Sequence, residues 1–234
     1  MDNKLFSTDP WKLSLPTENC PKGYYICISG NSGSGKSTTI SAIAKNIESK
    51  VINTIAIDEK LIHHPYLPLL FHRPKSYALF LQINFMLQRA MVIKHWFENG
   101  YNVVMERSHL EDPVFIRHLK NLGYISQKEL NEYMLLWGSI NNRLPNPDLI
   151  LFLDVQPNTS INRINNDEQK GLREKEFPSE TVKDQWINSW YTLYQERLAE
   201  LKADENVGSK LIIISENESI DDILALVKTR LMIK

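Results

Sequence analysis

The sequence predicts an α/β fold: one parallel sheet with helices on both faces. Three observations predict it. Short apolar runs alternate with helix-patterned stretches along the 234 residues. The runs are apolar on both sides, as strands covered on both faces read. A glycine-rich loop joins the first run to the first helix, the place where an α/β sheet gathers its ligand.

The elements follow in order. Tyr24–Ser29 (YYICIS) is a buried strand, and Ser37–Ser49 a helix. Val51–Ile57 is a short β-branched strand, and Ile62–Pro74, which holds three prolines, is mostly irregular. Ser76–Asn99 is a long helix, apolar on most sides, that stops at Gly100 in the C′ position. Tyr101–Glu106 is the third strand, and Val114–Asn121 is a helix ended by Gly123. Ser126 and Glu129 make a capping box that opens a helix to about Ile140. Leu149–Asp154 (LILFLD) is the fourth strand, and Pro157 opens the next helix. Glu168–Lys175 is a charged, mobile connection, Glu180–Ala203 a long helix, and Lys210–Ile214 the fifth strand. Ser219 and Asp222 cap the last helix. Five strands in one alternating series give a single domain over 24–234, after an irregular leader over 1–23.

Composition narrows the class. Apolar residues make up 42% and charged residues 24%, with a net charge of −1. No basic block speaks for a nucleic-acid or membrane-surface partner. The first twenty residues lack a signal-peptide pattern, and no apolar run approaches the ~20 residues of a membrane span. The two cysteines, Cys20 and Cys27, make no disulfide framework, and Cys27 sits in an apolar run as a small core residue. These features predict a cytoplasmic protein.

The chemistry starts at GNSGSGKST, Gly30–Thr38. Gly30, four residues, Gly35, Lys36 and Ser37 complete the P-loop pattern, with a strand before and a helix after. Gly30, Asn31, Ser32, Gly33, Ser34, Gly35, Lys36, Ser37 and Thr38 are therefore assigned to a nucleoside triphosphate. Backbone N–H groups and the helix N-terminus face the phosphates, Lys36 reaches the β- and γ-phosphates, and the Ser37 hydroxyl ligates Mg²⁺. No Asn-Lys-x-Asp segment is present for reading guanine, and the chain is short for a motor ATPase. A small-molecule kinase using ATP and Mg²⁺ remains. Two stretches are candidates for its acceptor side. In ALFLQINFMLQR, Gln82 and Arg89 lie seven apart and share one helix face. The Gln82 amide suits a nucleobase edge, or it joins a local polar network. In MERSHLED, at the carboxyl end of the third strand, Glu106 suits the metal and Arg107 a transferring phosphoryl group. Asp154, closing the fourth strand, is the competing metal carboxylate.

With these segments the chain resembles the deoxynucleoside kinase family. GNSGSGKST, FLQINFML, ERSHLED and PDLILFLDVQPNTSINRI occur in the family's order and spacing, over Tyr24 to about Leu201. The resemblance implies a five-stranded parallel sheet with a helical lid, here about 163–176, usually in a homodimer. It also implies transfer of the γ-phosphoryl of ATP to the 5′-hydroxyl of a deoxynucleoside. It places Glu59 on the carboxylate that activates this hydroxyl, with Asp58 the competitor. It sets His64-Pro65-Tyr66-Leu67 on an Asn-Pro-x-Leu segment and Gln82 on the base-reading glutamine. It sets Arg89 and Asp112 on a base-pocket pair of members that accept deoxycytidine or purine deoxynucleosides. Glu106 and Arg107 match the Glu-Arg-Ser motif near metal and phosphate.

Two departures stand out. Phe71, eleven before Gln82, occupies the place of a tyrosine whose hydroxyl binds the sugar 3′-OH. The lid pattern Arg-Ile-x-x-Arg-Gly-Arg begins at Arg163-Ile164 and then departs: ungapped, Asp167 and Gln169 replace both arginines. A three-residue insertion instead puts Lys170-Gly171 on Arg-Gly and lets Arg173 supply the second charge. Glu174 and Glu176 are both candidates for the lid's acid. The rival readings are a nucleoside monophosphate kinase of the thymidylate kinase type and a nucleotide-binding pseudokinase.

Overall fold

The computed structural model describes residues 9–12, 22–47, 53–59 and 68–232. Most of the leader with Cys20, the end of the first predicted helix, Val51 and Ile52 of the second strand, and His64–Leu67 lie outside the described residues.

Five strands form one sheet: β1 (Tyr25–Gly30), β2 (Thr54–Ile57), β3 (Asn102–Glu106), β4 (Leu149–Asp154) and β5 (Leu211–Ser215). Their order is β2-β3-β1-β4-β5 and every pairing is parallel. β1 is the centre, with Ile28 beside Glu106 of β3 and Gly30 beside Leu153 of β4. Because side chains alternate across a strand, Ile26 and Ile28 face one core and Tyr25 and Cys27 the other. On the first face they meet Ile40 and Ile43 of α1 (Lys36–Ile47) and Val227 of α8 (Ile220–Leu231). On the second face Tyr25 packs on Val92, Ile93 and Trp96 of α3 (Pro74–Glu98). Phe152 there meets Trp190 and Tyr194 of α7 (Glu180–Ala203) and Val114 of α4 (Asp112–Asn121).

Several details differ from the sequence expectation. The described part of the supposedly irregular 62–74 stretch holds a short helix, α2 (Leu69–His72). Pro74 opens α3 rather than ending the irregular stretch, because a proline in the first helical turn forfeits no hydrogen bond. α3 stops as read, with Asn99 at the C-cap and Gly100 at φ +76°. The capping boxes at Ser126, which opens α5 (Gln127–Asn141), and at Ser219 are both formed. A third, Ser108 with Glu111, closes a 3₁₀ turn right after β3. α6 (Pro157–Gln169) runs into the predicted charged connection, and the chain then turns at Gly171, φ +67°. β5 is less covered than a strand apolar on both faces implies: Ile213 is 38% exposed, because β5 is an edge strand. Among the described residues no helix is long and apolar enough to cross a membrane.

Candidate active site

The loop Gly30–Thr38 leaves the central strand and enters α1 at the carboxyl edge of the sheet. Its shape needs glycine. Gly33 has φ +74°, and a Cβ there would lie 2.6 Å from the Ser160 carbonyl oxygen. The Asn31 side chain ties the loop to α7, its Nδ2 donating to the Ile187 carbonyl at 2.9 Å. Its Oδ1 accepts from the Ser32 amide at 2.8 Å. Lys36 is buried, and its ammonium donates to the Asn31 carbonyl at 2.6 Å and lies 3.3 Å from Glu106 Oε1. Burial and the nearby Arg107 push the Lys36 pKa down to about 8, against the pull of Glu106. Ser37 and Thr38 open the helix exposed, facing the same cavity.

That cavity has a volume of about 650 Å³ and runs from the phosphate loop past Glu59 to Gln82 and Arg89. Glu106, at the carboxyl end of β3, accepts from the Glu59 amide at 3.1 Å. Burial and a hydrogen bond with Asp58 raise its pKa, while Lys36 opposes the rise. The two neighbouring carboxylates thus part company. Asp58 turns to Glu106 on the phosphate side, and Glu59 turns to the arginines on the other. Glu59 Oε2 pairs with Arg107 Nη1, and its Oε1 lies 3.4 Å from Arg89 Nη2. Arg89 Nη1 in turn pairs with Asp112. Burial pushes Asp112 up to about 7, and Arg89 holds it from rising further. Asp112 stands behind Arg89 and does not line the cavity. Asp154 is also outside it, accepting from Gln195 at 3.0 Å. Ser37 and Glu106 are oxygen donors facing one space beside a lysine, a set that fits a hard divalent cation held partly by phosphate.

Of the residues expected in a lid, Arg163 lines the cavity, and its Nη1 donates to the Ser34 carbonyl at 3.3 Å. Arg173 lines it too, 2.8 Å from Glu176, which shares the wall. Lys170 is not brought there: it is exposed at the C-cap of α6. Glu174 is exposed outside the wall as well. Phe71 lines the cavity, with its ring 5.5 Å from Trp186 and 6.0 Å from Phe177. Sequence reasoning passed over the aromatic wall that Phe115, Trp186 and Trp190 make, and His118, T-stacked on Trp186 at 4.3 Å. The spacing of Trp186, Trp190 and Tyr194 puts all three on one face of α7, a pattern that in sequence is no different from ordinary core.

A P-loop, a buried lysine and a carboxylate–arginine cluster in one cavity of a β2-β3-β1-β4-β5 sheet define a P-loop kinase. Comparison with known proteins gives the family. The deoxynucleoside kinase family model matches residues 26–230, and the chain belongs to that family. It is 30% identical over 180 residues to a deoxyadenosine kinase of Dictyostelium discoideum, covering 77% of this chain and 69% of that one. It is 28% identical over 184 residues to a deoxyadenosine/deoxycytidine kinase of Bacillus subtilis (strain 168), covering 77% and 79%. Its fold is similar to that of a deoxyadenosine kinase from M. mycoides solved with bound dCTP. There the TM-score is 0.68 and the identity 21%, over 88% of this chain and 98% of that one.

Proposed function

We propose that this kinase transfers the γ-phosphoryl group of ATP to the 5′-hydroxyl of a 2′-deoxynucleoside with a purine or cytosine base. One observation carries the reading: Glu59 sits between Arg107 and Arg89 in the cavity that also holds Lys36. A carboxylate there takes the hydroxyl proton as the new bond to phosphorus forms. Lys36 and Arg107 bring positive charge to the phosphoryl oxygens, and most of the catalysis is such positioning. Ser37 and Glu106 would hold Mg²⁺, which would offset the negative charge of the phosphates during transfer. Gln82 and Arg89 offer donors and an acceptor to the base edge. The purine or cytosine preference rests on the resemblance of Arg89 and Asp112 to the base-pocket pair. A monophosphate acceptor would want further free arginines. Beyond Arg89 and Arg107, which have the roles above, the described cavity wall carries arginines only at the proposed lid, Arg163 and Arg173, which favours the uncharged nucleoside.

The working unit in this reading is a cytoplasmic homodimer joined through α3 and α5. Phe80 and Met91 of α3 are 69% and 66% exposed, and Leu135 of α5 is 77% exposed. The deciding experiment is a steady-state assay with ATP and Mg²⁺ against the common deoxynucleosides, two ribonucleosides and thymidine monophosphate. Glu59→Gln runs in parallel. Turnover on a deoxynucleoside that collapses in Glu59→Gln supports the reading. Transfer only to the monophosphate, or ATP binding with no transfer at all, overturns it.

A further inference from the structure

Arg107 is an unusual residue before its chemistry is considered. Its backbone has φ +60°, a region that side-chain-bearing residues seldom occupy. Its amide is fixed by the Ile28 carbonyl of β1 at 2.9 Å. This left-handed step turns the guanidinium inward, between the rings of Trp190 and Phe115 at 4.9 and 5.0 Å. Nη1 goes to Glu59, and Nε donates to the hydroxyl of Tyr194 at 3.0 Å. That hydroxyl donates to Glu111 Oε2 at 2.9 Å. Glu111 is itself immobilised: its Oε1 accepts from the Ser108 amide at 3.2 Å in the 3₁₀ capping box. Burial raises the Tyr194 pKa well above the usual phenol value, so the hydroxyl keeps the proton it donates.

We propose that Tyr194 is a positioning residue for phosphoryl transfer: its hydroxyl, anchored by Glu111, locks the guanidinium of Arg107 in the orientation that meets Glu59. Trp190, one turn before Tyr194 on α7, supplies the flat surface and Tyr194 the polar stop. Without the hydroxyl, Nε loses its acceptor, and the guanidinium can rotate about its stem toward Glu106, whose Oε1 already lies 3.8 Å away. The inference rests on the role of Arg107 proposed above, so its test has one arm that needs no activity.

In Tyr194→Phe, kcat falls by about 100-fold, as a misplacement of about an ångström costs. The nucleoside KM stays within about threefold, since Tyr194 is buried and does not line the cavity. In an Arg107→Lys background, whose single ammonium cannot serve both Glu59 and Tyr194, adding Tyr194→Phe costs nothing further. Losses that multiply, or an unchanged kcat in the single variant, overturn the proposal. The activity-free arm follows the Arg107 Nε–H by ¹⁵N NMR, assigned by its absence in Arg107→Lys. Slow exchange with solvent that becomes fast in Tyr194→Phe, with the fold retained by thermal melting, supports the lock. Fast exchange in the parent protein overturns it even if the proposed reaction is also wrong.

Discussion

Arg107 and Glu59 form an ion pair at the junction of the phosphate loop and the chamber that holds Gln82 and Arg89, with the arginine Nη1 against Oε2 of the carboxylate. Each arginine that touches Glu59 has a second anchor: Tyr194 for Arg107, Asp112 for Arg89. Neutralising Glu59 therefore leaves neither guanidinium stranded. Glu59→Gln is expected to melt within a few degrees of the parent, while kcat falls by about 10²–10⁴-fold as the proposed general base is removed. Calorimetry beside steady-state kinetics checks this, and a large loss of both would contradict it.

In the proposed reaction Lys36 makes ATP binding depend on pH. In the free protein its ammonium titrates at about 8, below the lysine norm, because of burial and Arg107. Phosphates favour the charged form. ATP affinity should be flat below pH 8 and weaken by up to about tenfold per unit above it. Titration calorimetry at pH 7, 8 and 9 measures the slope. Constant affinity across that range would show that Lys36 stays charged.

His118 is held neutral. Burial lowers its pKa from 6.5 to about 4. As the pH drops below 6.5, the unfolded chain takes up a proton that the folded one refuses until about pH 4, so stability falls through that window. His118→Phe keeps a ring against Trp186 and removes the titration. Between pH 7 and pH 5 the parent should lose about 2 kcal/mol more than the variant in urea unfolding. Parallel losses would exclude His118 as the source.

The ring of Phe71 faces the chamber beside Phe177 and Trp186 and offers no hydrogen bond. Phe71→Tyr adds a hydroxyl where the family resemblance puts a partner for the sugar 3′-OH. KM for a 2′-deoxynucleoside should fall by about 2- to 10-fold, the worth of one hydrogen bond. An unchanged or higher KM would place the sugar elsewhere.

Lys183 fastens α7 to α6, the helix that runs into the proposed lid. Its ammonium on α7 reaches Asn165 and Glu168 of α6 at 2.7 and 2.8 Å and Glu180 at 3.1 Å. Burial works to lower its pKa, but the two carboxylates outweigh it and the net shift is upward. Lys183→Met strands the buried Glu168 carboxylate and should cost about 3–5 kcal/mol. A rise in KM for ATP should accompany this, since Arg163 rides on α6. Chemical denaturation and kinetics test both parts, and Lys183→Arg should recover most of the loss.

Much of the fold was legible because its signals are local. Leu149–Asp154 reads as a strand from six consecutive residues, and Ser126 with Glu129 announces a helix start from four. The same local pattern at Ser108 and Glu111 is harder to see in sequence, because it lies within a run of charged residues and caps only a 3₁₀ turn. The exposure of Ile213 had no local signal, since being at an edge depends on which strands pair. Around the cavity, residues of the contiguous loop and of the Glu-Arg-Ser segment could be picked out by local pattern. Trp186, Trp190 and Tyr194 could not, because an aromatic stripe on a helix reads as ordinary core until α7 is seen crossing behind Arg107. Lys170 and Arg173 were indistinguishable in sequence, and only the turn at Gly171 separates the exposed cation from the one in the wall.

The strand order carries a consequence for synthesis of the chain. β1 is made first, yet both its neighbours, β3 and β4, come late: Ile28 pairs beside Glu106, and Gly30 beside Leu153. At about 5–20 residues per second, translation separates β1 from its first partner by roughly 4–15 s. For that interval an apolar strand leading into the phosphate loop has no sheet to join. Until β3 arrives, both edges of that strand stay open to pairing with something other than its own sheet.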